Sequence, residues 1–195
     1  MKTGVGERLR DKTRDKLCSD LQSLGIVASM AERKRCEEKV PKQWHEFYKR
    51  SLGIIDLHGE PVRFINILKR DRQRHTPPKW WMNLGIPDEN PISESNAINI
   101  RTRKIRSLPV FGKVIDVVWS GDDKGTGLAD ILAQSNAVDQ LSQNIGKLRI
   151  FSYNKDKGGF QGWVLQIDRR FTPNSSDWTT IRWLAEKLVS MPRRS

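Results

Sequence analysis

From Trp163 to Arg170 the chain alternates in polarity, with Trp163, Leu165 and Ile167 at odd positions and Gln166, Asp168 and Arg170 at even ones. A period of two belongs to a strand that has one buried and one solvated face, because successive side chains leave a pleated strand on opposite sides. Antiparallel sheets have such faces, whereas parallel sheets are covered on both.

The neighbouring segments extend this pattern. Ala97 to Arg106 suits a strand, Leu108 to Gly112 a turn, and Lys113 to Trp119 a strand apolar on both faces, hence expected to be central. Thr126 is placed to cap a helix using Leu128, Ile131 and Leu132, continuing brokenly through Val138 and Leu141 to Gly146. Lys147 to Tyr153 and Trp163 to Phe171 read as a strand pair across the loop from Asn154 to Gly162. Ser175 or Ser176 then caps a last helix with Trp178, Ile181, Ala185 and Leu188 inside and Trp183 on the opposite side. The order is strand, strand, helix, strand, strand, helix. The expected class is α+β: an antiparallel sheet with two helices on one face over residues 96–195, preceded by a basic helical and hairpin region over 1–95. The polar stretch from Ile86 to Asn96, with two prolines, is the expected boundary.

In the first half, Leu9, Leu17, Leu21 and Leu24 recur at helical spacing up to Gly25, and Ala28 to Lys39 is expected to form a second, solvated helix. Pro41 opens a short helix carrying Trp44, Phe47 and Tyr48. Ile54 to Leu57 and Val62 to Leu68 flank a Gly-bearing turn and read as a hairpin. Pro77-Pro78 is expected to start a helical turn through Trp80 and Trp81 to Leu84-Gly85.

Charge narrows the function classes. The 195 residues carry 35 Lys and Arg against 23 Asp and Glu, a formal charge of +12 with a pI near 10.0. Residues 1–106 hold 23 of these cations and 14 of the anions, a net of +9, so the positive field belongs mainly to the first half. Between Lys69 and Trp81 five cations meet one anion and end on paired indoles. Guanidinium forks match phosphate oxygens, and indole faces stack on bases. The candidate nucleic-acid contacts are Lys69, Arg70, Arg72, Arg74, Lys79, Trp80 and Trp81, with Arg101, Arg103, Lys104 and Arg106 as a second cluster on an expected strand. The expected partner is nucleic acid, DNA or RNA, bound largely through phosphate contacts and without catalysis. An acidic protein partner is an alternative for the same basic surface.

Catalytic motifs are sparse. The loop from Ser120 to Gly127 is neither a Walker A nor a G-x-G-x-x-G motif. Asp116, Asp122, Asp123 and Asp168 are oxygen ligands in kind, and a metal-dependent phosphodiesterase centred on Asp116 and Asp168 is the enzymatic alternative, provided their strands lie side by side. Against it, a glycine-rich turn with capping aspartates and a salt-bridged Asp168 explain the same residues. His45, His58 and His75 are scattered, and Cys18 and Cys36 form no zinc-spaced cluster, so no cofactor or metal is expected. No apolar run is long enough to cross a bilayer or to open a secretory leader, and the expected setting is cytoplasmic, without a membrane partner.

Overall fold

The computed structural model describes residues 11–41, 48–90, 96–107, 114–154 and 159–191, and of residues 106, 114 and 115 the backbone only. Eight strands form one antiparallel sheet: β1 (Val27–Met30), β2 (Lys49–His58), β3 (Phe64–Arg70), β4 (Lys79–Pro87), β5 (Asn99–Arg106), β6 (Val114–Asp122), β7 (Leu148–Tyr153) and β8 (Gly162–Ile167). Their order is β1-β2-β3-β4-β8-β7-β5-β6. The helices are α1 (Thr13–Ser23), α2 (Leu128–Ala133), α3 (Asn136–Ile145) and α4 (Ser175–Val189). The chain is thus α+β. Strands from both halves join through the β4 and β8 pairing, in which Leu84 faces Leu165. The expected boundary falls at residues 91–95, outside the described residues.

The four α-helices among the described residues lie on one face. Leu17 and Leu21 of α1, Leu128 and Leu132 of α2, Val138 and Leu141 of α3, and Trp178, Ile181, Ala185 and Leu188 of α4 share one core with alternate residues of the strands, among them Ile65, Ile67, Met82, Leu84, Ile100, Ile150, Leu165 and Ile167. Exclusion of this apolar area from water is the main force closing the fold. Asn174, rather than either serine after it, caps α4: its side chain accepts a hydrogen bond from the Asp177 N–H at 2.8 Å. Glu60, at the β2–β3 turn, ties α4 down through Arg182, with nitrogen to oxygen distances of 2.6 and 2.5 Å.

On the other face a smaller cluster of Ala31, Val40, Ile54, Phe64, Phe160 and Val164 covers part of the sheet. The sequence suggests a helix over Ala28 to Lys39, and no α-helix forms there. Instead, Val27–Met30 pairs with β2 at the sheet edge, and a short 3-10 helix, Cys36–Lys39, follows. Its Glu, Arg and Lys residues provide no apolar stripe, so packing cannot hold an α-helix there. Asn66, fully buried, donates from Nδ2 to the carbonyls of Glu37, Glu38 and Val40 at 3.1, 3.0 and 2.6 Å. Arg35 adds an ion pair to Asp56 at 2.6 Å. The segment is pinned to the sheet by polar contacts.

Two further expectations change. Trp80 and Trp81 lie in β4, not in a helical turn, because they pair with Lys69 and Leu68 of β3, and the strand continues from Met82 with β8 on its other side. β6 is an edge strand with β5 as its neighbour, not a central one, and Asp116 on it is exposed, accepting a hydrogen bond from the Val117 N–H at 2.7 Å. The Pro41 helix and the Leu108–Gly112 turn lie at residues 42–47 and 108–113, outside the described residues.

Candidate nucleic-acid interface

The pleat decides where each cation goes. In the β2–β3–β4 register Lys49 faces Arg70 and Arg70 faces Lys79, whereas Arg50 faces Lys69 and Lys69 faces Trp80. Since Ile65 and Ile67 enter the helix-side core, Lys69 points to the helices and Arg70 away from them. The basic run is therefore split between two faces.

The helix-side group is neutralised. Lys69 Nζ lies 2.7 Å from Asp11 and 3.2 Å from Asp71, and Arg50 lies 2.7 Å from Asp71. Burial alone would raise the Asp11 carboxyl, but hydrogen bonds from Lys69 and Thr13 outweigh it and hold the group at about 2. Trp80 packs against the core with Lys69 5.3 Å and Arg170 4.1 Å from its ring centroid. These cation–π contacts are internal to the protein. Lys104, on the same side, donates to the Gln143 carbonyl of α3 at 3.4 Å.

The opposite face differs. Lys49, Arg70 and Lys79 stand abreast on three adjacent strands, and Trp81 lies between the ammonium groups of Lys49 and Lys79, 4.4 and 5.2 Å from its centroid. Two strands beyond β4, Arg149 of β7 faces Arg101 of β5, and Arg103 follows two residues along the same side. Because Ile100 and Thr102 are buried toward the helices, Arg101 and Arg103 project to this face, where both are exposed. Among the described residues, Arg70, Arg101 and Arg103 have no carboxylate partner, and the Arg70 Nε is buried without a hydrogen bond. The nearest carboxylate to Lys79 is Asp168, at 3.9 Å. From β2 to β5 there are five interstrand steps, about 24 Å at ~4.8 Å each.

A polar ladder links the two cationic groups. Ser51 donates to Asn66 at 2.9 Å, Asn83 Nδ2 to the Asn66 carbonyl at 3.2 Å, Gln166 Nε2 to Asn83 Oδ1 at 2.7 Å, and Arg149 Nε to Asn99 Oδ1 at 2.8 Å. Arg72 and Arg74 extend from the exposed β3–β4 turn, which closes on paired backbone hydrogen bonds between Gln73 and Thr76. The side chain of Arg106 lies outside the described set. Lys49, which is buried, and Arg149 also lie on this face, and neither is among the contacts expected from the sequence. The alternation of Arg149, Phe151 and Tyr153 with Leu148 and Ile150 is the signal that marks this face on β7.

No family model, curated protein or solved structure matches the chain.

The carboxylates do not converge. Three interstrand steps, roughly 14 Å, separate the strands carrying Asp116 and Asp168. Among the described residues no three His, Cys, Asp or Glu side chains are grouped closely enough to hold a metal ion. Asp168 accepts from the Lys147 N–H at 3.0 Å. Asp122 pairs with Lys124 at 2.7 Å, and Asp123 accepts from the Gly125 N–H at 3.0 Å, so both organise the glycine-rich turn. Burial, with repulsion from Asp116, pushes the Asp139 carboxyl on α3 upward, but it lies on the helix side, away from the cationic rows.

Proposed function

We propose that the protein binds nucleic acid, without catalysing a reaction on it, through the sheet face opposite the helices. The observation that carries this reading is the pairing of like charges across neighbouring strands on that face. Cations directly opposite one another weaken a sheet, and the helix-side pair of Arg50 and Lys69 is compensated by Asp11 and Asp71. Arg70 and Arg101 each stand opposite a cation, Arg103 lies two residues along from Arg101, and none of these three has a carboxylate partner among the described residues; a polyanion supplies a matching charge. Lys79, Arg72 and Arg74 add contacts to the same phosphates, while Lys69, Trp80 and Lys104 hold the platform from behind. The setting consistent with this role is cytoplasmic, with Cys18 and Cys36 as free thiols.

A fluorescence-anisotropy titration with a mixed-sequence oligonucleotide tests the reading. Affinity is expected to fall steeply as salt rises, because phosphate neutralisation releases condensed counterions. No measurable binding at low salt ends the proposal.

A further inference from the structure

Aromatic and amide groups that hold the face together are also set among its cations, partly exposed. Trp81 is half-buried on β4, and Phe151 is half-buried on β7 with the Arg149 guanidinium 5.1 Å from its centroid. Between them Gln166 spends its Nε2 on Asn83 and keeps its Oε1 without a partner among the described residues. Each ring lies beside a cation, and a free amide acceptor lies between the rings. This alternation fits a polymer whose phosphates and unstacked bases touch the same surface. A duplex keeps its base faces inside its own stack, so only a single strand can offer them to aromatic rings.

Resting on the assignment of this face as a nucleic-acid interface, we infer that the bound polymer is single-stranded and crosses the strands from β2 toward β5. Its phosphates lie against Arg70, Lys79, Arg101 and Arg103. Its bases meet Trp81 and Phe151, and Gln166 accepts from an exocyclic amine.

The test compares a labelled single strand and a duplex of the same length by anisotropy at one low salt concentration. The single strand is expected to bind at least about tenfold more tightly, and Phe151→Leu and Gln166→Ala each to weaken it several-fold while leaving duplex binding unchanged. Phe151→Leu keeps an apolar side chain beside the Phe64, Phe160 and Val164 cluster, and circular dichroism confirms that both variants are folded. Equal or tighter binding of the duplex, or variants that weaken both ligands alike, overturns the inference and leaves phosphate binding standing. If neither polymer binds, both readings fall.

Discussion

Lys69 and Arg70 are neighbours in sequence with different jobs, and the difference is one of partners. Lys69 closes an ion network with Asp11 and Asp71, whereas Arg70 points to the other face with no carboxylate beside it among the described residues. Replacing Arg101 by Ala is expected to weaken oligonucleotide binding about equally for all sequences and to lower the salt slope by about 1, read from the same anisotropy titration. Asp11 has the opposite effect, on stability. Its folded carboxyl lies at about 2, below the ordinary 3.8, so its contribution is fully present above about pH 4 and is lost as pH falls through 2. Asp11→Asn is expected to lower stability at neutral pH by about 2 kcal/mol and to flatten acid unfolding between pH 4 and 2, followed by circular dichroism. Both basic clusters are legible in the sequence. The division of Lys69 from Arg70 is not, because it depends on the register of a strand whose neighbours are distant in the chain.

At the scale of elements, the face opposite the helices is shaped by how the segment over residues 31–41 is held. Asn66 satisfies three carbonyls at once, and Asn66→Ala is expected to cost about 2–4 kcal/mol, measured by denaturant unfolding, because buried acceptors lose their donor. Gly85 is demanded by packing: a Cβ there would overlap the Phe64 ring. Gly85→Ala is therefore expected to lower the unfolding free energy by about 1–3 kcal/mol in the same measurement. The β2–β3 hairpin, the β7–β8 pair and α4 are readable from local alternation and helical spacing, since their partners lie close in sequence. β1 and β4 are not. Trp80, Met82, Leu84 and Ile86 do alternate with Trp81, Asn83 and Gly85, yet the Pro-Pro start suggests a helix, and pairing on both sides overrides it. β6, apolar in composition, lies at the edge because its one strand neighbour, β5, takes β7 on its other side.

Across the described residues, the sheet separates a packed, compensated side, where Lys69 and Arg50 meet Asp11 and Asp71, from a cationic side carrying Arg70, Arg101 and Arg103. Two clusters some thirty residues apart in sequence come to one face only through the long-range join of β4 to β8 and of β7 to β5, for which no local pattern exists. None of the described helices is long and apolar enough to cross a membrane. On the proposed reading the cationic face, rather than total charge, binds nucleic acid. The direct measurement compares the salt dependence of oligonucleotide affinity for wild type, for Arg70, Arg101 and Arg103 all changed to Ala, and for the exposed Lys12, Lys16 and Arg63 all changed to Ala. Both triple variants lose the same formal charge. The first is expected to lose about 3 from the salt slope and most of its affinity, while the second stays near wild type. Equal losses in the two variants would contradict that reading.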